Sequence, residues 1–370
     1  MRIPRPDRTL SLGTPNACNK CHADKTAAWA VQAVHTWYPI PKAGFQDFAD
    51  AFDLGERGAP GAQAALRNVA SAQSSSVIAR ASALTRLGRF SSPITFDLAA
   101  KALKDEDPAI RAAAVSVIAN ASSEKRRELL LPLLTDVSRL VRIDTARALA
   151  DVPDTELSAE ERRKREMAMA EYVDAQLFNA ERPETLTDIG AFYRDRGKFA
   201  EAINAFEKAT ALDPSFVAAA VSLADIMREK GNDQDAEKIL RNSLAANPKS
   251  APVEHALGLN LIRQKRISEG IDHLAAAVRV ASGDPHLSYV LAVALHDTGK
   301  TKDAIDTLKS ELARSPYDRE ILWGLASYEA EAGDLRSAID RLVLLSELEP
   351  ELPSVSEALA ALRRLHPNPQ

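Results

Sequence analysis

Apolar and polar positions in the C-terminal half of the chain recur with a period of 34 residues. Pro214, Pro248, Pro316 and Pro350 stand on one ladder of that period, with Ser282 on the missing rung. Gly197, Gly231, Gly299 and Gly333 form a second ladder, completed by Lys265, and Ala202, Ala236, Gly270, Ala304 and Ala338 form a third. Between the rungs the apolar residues follow helical spacing, so the pattern predicts five helix pairs over 183–352. Each rung has a physical reason. Glycine suits the left-handed residue that closes a first helix, a small residue five positions later lets two helices approach, and proline follows a second helix that it cannot continue. The amphipathic stretch 353–370 predicts a helix that caps the array. Upstream, Arg80, Arg111 and Arg142 are 31 apart within the alanine-rich runs VIARASALTRL, AIRAAAVSVIA and LVRIDTARALA, and aspartate-bearing turns precede the last two. Shorter helical units over 57–153 follow from this, each aspartate capping a helix and each arginine pairing with a neighbouring turn. A charged helix over 158–182 joins the two arrays, its apolar positions Met167, Met169, Tyr172, Val173 and Leu177 facing the first pair.

A 34-residue period with these residue types is the tetratricopeptide pattern, and the shorter arginine-marked units look like HEAT repeats. The expected fold is all-α, an α-solenoid with a short HEAT-like array followed by a five-unit tetratricopeptide superhelix. The third unit departs most, with Lys265 and Gly270 on two rungs. Glycine inside a helix costs about 0.8–1 kcal/mol relative to alanine. Gly270→Ala is therefore expected to stabilise the chain if the helices leave room, as the alanine in the other four units suggests. Composition agrees: 45% of residues are hydrophobic but only 5% aromatic, which suits close-packed helix pairs better than a sheet. A net charge of -5 exerts no general pull toward nucleic acid, and no apolar run reaches membrane-spanning length. No nucleophile–base pair, glycine-rich phosphate loop or carboxylate constellation occurs, so the chain does not read as an enzyme.

Both cysteines fall in Cys18-Asn19-Lys20-Cys21-His22. Cys-x-x-Cys-His reads as a c-type haem attachment site: two thioethers reach two vinyl positions on one porphyrin edge, and the adjacent histidine ligates iron. A zinc site needs further ligands that the sequence does not pair with these, and a thioredoxin-type dithiol belongs beside a βαβ pattern that is missing. The expected cofactors are haem c and iron, held in a segment over 1–45 by Cys18, Cys21 and His22, with His22 as the metal ligand. The helix expected over 24–38 carries Ala27, Ala30, Val31, Val34 and Trp37 on one stripe, and with haem attached Trp29 and Trp37 would cover a porphyrin face. His35 reads as an ordinary helix histidine rather than a sixth ligand.

The runs RIPRPD, LGTPNACNKCHADKTAAWA and ERPETLTDIGAFYRDRGKFAEAINAFEKATALDPSF resemble the C-terminal portion of bacterial multihaem c-type cytochromes of the cytochrome-c554-like type, fused to HEAT-like and tetratricopeptide repeats. The resemblance implies electron transfer, with the repeats docking a redox partner protein or upstream haem domains, and a periplasmic or otherwise exported location. In that family further haem sites and a distal histidine lie upstream. The chain has neither these nor an export signal, and so reads as a truncated or mis-started member. The alternative is a cytoplasmic, non-redox interaction scaffold with an unused or regulatory Cys-x-x-Cys-His motif.

Counting each tetratricopeptide unit from Pro183, Val217, Ala251, Pro285 and Arg319, the fifth positions face the concave surface in proteins that resemble this one. They are Thr187, Val221, His255, Tyr289 and Trp323, and the twelfth positions are Arg194, Arg228, Ile262, His296 and Ala330. A groove for a protein or peptide ligand is expected, with a basic end at Arg194 and Arg228 to clamp carboxylates. His255, Tyr289, His296 and Trp323 would line its aromatic end.

Overall fold

The structure, a computed structural model, describes residues 4–39, 47–90 and 92–365. Residues 1–3 and 40–45 of the expected haem segment, and 366–370 of the expected cap, lie outside the described residues. All regular structure among the described residues is helical, in two compact units, Met1–Asn120 and Ala121–Gln370.

The first unit contains α1 (Pro6–Leu12), α2 (Ala17–Cys21), α3 (Ala27–Trp37), α4 (Ala49–Arg57), α5 (Ala62–Ser71), α6 (Val77–Leu87), α7 (Pro93–Ala102) and α8 (Pro108–Ile118). Leu66, Leu84, Leu87, Phe90 and Ile110 form its core with alanines that let the short helices pack closely. The arginine ladder works through turns. Arg80 donates to the Ala70 carbonyl at 3.2 Å and to Asp105 at 2.8 Å. Arg111 donates to the carbonyls of Asp105 and Glu106, while Asp107 caps α8 by accepting from the Ala109 amide.

In the second unit, α9 (Ser123–Leu130) and α10 (Arg139–Ala148) lead to the long α11 (Ala159–Leu177). Arg142 repeats the device, donating to the Asp136 carbonyl at 2.7 Å and to Glu171 at 2.8 Å. Ser158 and Glu161 close the start of α11 as a reciprocal capping box. Tyr172 of α11 meets Phe192 at 4.8 Å between ring centroids. Met169 is also buried, but Met167 and Leu177 are 61% and 51% exposed, so the apolar stripe of this helix is narrower than its sequence suggests. The other side of α11 packs on α10, and its Arg165 is wholly buried, donating to the Val152 carbonyl and to Asp154.

Five helix pairs follow: α12 (Pro183–Asp195) with α13 (Phe199–Leu212), α14 (Val217–Glu229) with α15 (Asp233–Ala246), α16 (Ala251–Arg263) with α17 (Ile267–Val280), α18 (Pro285–Asp297) with α19 (Thr301–Leu312), and α20 (Arg319–Glu331) with α21 (Leu335–Leu348). α22 (Pro353–Leu365) closes the row by burying Val355 and Leu359 against the last pair. The turn inside each pair is bonded alike. The Gly197 amide donates to Arg194 and the Lys198 amide to Tyr193 at 2.8 and 2.9 Å, a Schellman closure. In the third pair Lys265 takes the glycine's place at φ 66°, keeping both bonds at 2.9 Å.

In the third pair two glycines face each other across α16 and α17. A Cβ on Gly270 would stand 2.8 Å from the Gly258 carbonyl oxygen and 2.6 Å from Ile262 Cγ1. A Cβ on Gly258 would in turn stand 2.9 Å from the Gly270 carbonyl oxygen. The expected room for a methyl group at Gly270 does not exist, because the partner helix approaches backbone to backbone. Between the last two pairs, Glu329 of α20 is 1% exposed and lies 3.0 Å from Lys309 Nζ of α19 and 3.5 Å from Arg341 Nε of α21. A buried carboxylate held by two cations spans three helices.

Candidate functional site

The first helices of the pairs touch one another directly, α12 with α14, α14 with α16 and α18 with α20. The second helices join the row through the first helix of the next pair. The first helices therefore form the inner row, and their free face carries the fifth and twelfth positions. Thr187, Val221, His255, Tyr289 and Trp323 are each half-buried there, neither locked in the core nor fully solvated.

Over the last three pairs this face holds a cluster of rings and carboxylates. His255 and His286 lie 5.8 Å apart between centroids. Burial, then the neighbouring His286, holds His255 below the ordinary histidine range. His286 Nδ1 meets Glu320 at 3.2 Å, and His296 Nε2 meets Glu331 at 2.8 Å. His296 also stacks flat on Tyr328, 4.1 Å between centroids at an interplanar angle of 8°. Burial chiefly, with Tyr289, Asp297 and Glu331 adding to it, pushes the Tyr328 phenol up to about 12. Tyr289 packs on Gly324, where an added Cβ would stand 3.1 Å from its ring.

At the end expected to be basic, each arginine lies beside a carboxylate. Arg194 lies 3.5 Å from Asp195, and Asp195 is also 2.7 Å from Arg147. Arg228 lies 3.2 Å from Asp225, one helical turn earlier. The structure brings His255, Tyr289, His296 and Trp323 onto one stretch of the face and leaves Arg194 and Arg228 beyond it, each beside a carboxylate. His286, Glu320, Tyr328 and Glu331 were missed from sequence. The signal was present: His286 and Glu320 stand 34 residues apart, the same position in consecutive units.

At the other end of the chain, Asn16 caps α2 by accepting from the Asn19 amide, and Asn19 in turn donates to the Lys25 carbonyl at 2.7 Å. Cys18 is half-buried and Cys21 exposed, both as free thiols. The His22 ring lies 5.0 Å from that of Trp29, tilted by 55°. Trp37 is 67% exposed, and His35 is exposed in the last turn of α3. Among the described residues no group of three or more His, Cys, Asp or Glu is placed to hold a metal ion.

Family models for tetratricopeptide repeats match residues 193–258 and 255–319, and one for HEAT repeats matches 63–150. Among curated proteins the chain is similar to the human protein O-mannosyl-transferase TMTC1, 22% identical over 190 residues, covering 50% of this chain and 22% of that one. It is also similar to superkiller protein 3 of Schizosaccharomyces pombe, 26% identical over 191 residues, covering 49% and 14%. The chain thus spans less than a quarter of the length of either relative. Among solved structures, MamA is 21% identical over 44% of this chain and 95% of that one, with a TM-score of 0.38.

None of these matches is a cytochrome, and the resemblance to cytochrome-c554-like proteins is corrected accordingly. What the comparisons recognise in the chain is its repeats. Among the described residues the surroundings of Cys18, Cys21 and His22 do not match the expected haem site: no group of three or more His, Cys, Asp or Glu gathers there, the His22 ring packs on Trp29, and the stripe expected to cover a porphyrin leaves Trp37 in solvent. Haem, iron and electron transfer are withdrawn with it, and the expectations of a redox partner and of export, which rested on the haem, lose their basis. No helix among the described residues is long and apolar enough to cross a membrane. By its helix pairs, its turn bonding and the models it matches, the chain is an all-helical repeat solenoid of HEAT and tetratricopeptide repeats.

Proposed function

We propose that the chain is a non-catalytic interaction scaffold whose inner row of first helices binds an extended peptide segment of a partner protein. The carrying observation is the placement of Tyr289 and Trp323 at equivalent positions of consecutive first helices, both half-exposed on one face. Large rigid aromatic side chains supply contact area at low entropic cost, and a stack of equivalent helices offers one anchor per unit to an extended chain. Selection of a displayed random-peptide library on the full chain tests this. Peptides so obtained should bind about tenfold more weakly to Tyr289→Ala or Trp323→Ala, as loss of one aromatic anchor implies. Equal binding to wild type and both variants would remove the groove from consideration.

A further inference from the structure

We infer, resting on the reading of this face as a peptide groove, that its last three units take a cationic segment, with lysine or arginine side chains presented from an extended backbone. Charge complementarity carries the inference. At the second, fifth, ninth and twelfth positions of α16, α18 and α20 there is no lysine or arginine, whereas Glu320 occupies one of these positions and Glu331 directly follows another. Both carboxylates are exposed, and their contacts on the face are histidines, His286 and His296, rather than a permanent cation. The cations close by are engaged elsewhere: Arg263 with Asp233 at 3.0 Å, Arg319 with Glu349 and Lys309 with the buried Glu329.

The rings add a second term of the same sign. Tyr289 and Trp323 stand between the two carboxylates along the face, and aromatic faces attract ammonium and guanidinium groups. An acidic ligand would meet these carboxylates and ring faces with repulsion. At the other end of the row it would have to compete with Asp195 and Asp225 for Arg194 and Arg228. The segment is therefore expected to seat its cations near Glu320 and Glu331 and its backbone across Tyr289 and Trp323.

The test uses two fluorescently labelled peptides of one Gly/Ser backbone, with lysine or glutamate at alternate positions, titrated with the full chain by anisotropy. The measurement is made at about pH 8, above the ordinary histidine range. The lysine peptide should bind about tenfold tighter than the glutamate peptide and weaken as salt is raised. The double variant Glu320→Gln, Glu331→Gln, which preserves shape at exposed sites, should lose that preference, while Arg194→Glu should leave it intact. A glutamate peptide that binds as tightly, and is lost on Arg228→Glu, would overturn the cationic assignment and leave the groove standing. Lysine-peptide binding indifferent to both the glutamine pair and Tyr289→Ala would place the contact off this face and overturn both. Failure of both peptides to bind also overturns the assignment, and the library selection then judges the groove independently.

Discussion

Replacing Gly270 by alanine tests how closely α16 and α17 cross. By helix propensity alone the change stabilises by about 0.8–1 kcal/mol. In the folded chain, however, the new Cβ would stand 2.6 Å from Ile262 Cγ1, 2.8 Å from the Gly258 carbonyl oxygen and 3.2 Å from the Ile262 amide nitrogen. Two of these three neighbours are backbone and cannot swing away, so the helices must part by several tenths of an ångström. Parting them also loosens Leu257 and Leu274, both buried at this pair. Overpacking of this kind costs about 1–3 kcal/mol. Set against the propensity gain, the net effect is a destabilisation of about 1 kcal/mol, reaching about 2 if the carbonyl contact sets the spacing. Urea unfolding of the full chain, followed by far-ultraviolet circular dichroism, should show a lower midpoint at unchanged slope. Because long repeat arrays can unfold in parts, amide exchange over 251–280 gives the local reading, and protection there should fall first. A midpoint equal to or above wild type, with protection over 251–280 undiminished, would refute the reasoning.

Lys265→Gly should act in the opposite direction on the same unit: it relieves a left-handed conformation at φ 66° that costs a side-chain-bearing residue about 1 kcal/mol or more, and a urea midpoint no higher than wild type would count against it. Asp144 offers a pH test, since burial alone raises its carboxyl to about 6 from the ordinary 3.8. A carboxyl raised on folding penalises the native state fully above about 6, and the penalty fades as pH falls toward the ordinary value, where both states are protonated. Asp144→Asn should therefore raise the unfolding midpoint at pH near neutrality and lose most of that gain by about pH 4, whereas a pH-independent gain would show that charge is not the cause.

The fold was legible in the sequence because each ladder rung reports a local backbone demand. A residue closing a helix at positive φ, or a proline ending one, needs no knowledge of distant partners. The arginines at 111 and 142 were legible for a similar reason, since a donor near a helix start bonds carbonyls of the turn five or six residues before it, while Arg80 reaches the Ala70 carbonyl ten residues back. Gly270 misled because room for a methyl depends on two helices together. Read along one rung, four alanines suggest space, but read across the pair, Gly258 faces Gly270, whereas the units with Ala236, Ala304 and Ala338 carry alanine, at 224, 292 and 326, in place of Gly258. The carboxylate beside Arg228 at the groove's far end was visible as Asp225 three residues before it, a helical ion-pair spacing. The haem expectation failed because five residues can state an attachment chemistry without the surroundings that would cover the group, and Trp37 of the expected cover stands in solvent.

Glu329 gives the array a grammar as well as a stability. A chain built from 34-residue modules can in principle gain, lose or exchange one without disturbing the others, because each meets only its neighbours. Here the carboxylate belongs to the fifth module, one of its cations, Lys309, to the fourth, and the other, Arg341, again to the fifth. Removing one partner of a buried charge cluster costs about 3–5 kcal/mol. Splicing a foreign module between these two, or deleting the fourth, would strand a charge in the joint, whereas the joint between α13 and α14 packs apolar groups such as Phe206 and Leu223. The final two modules are thus energetically tied as a pair, and inserting or removing a module is expected to cost less nearer the beginning of the array.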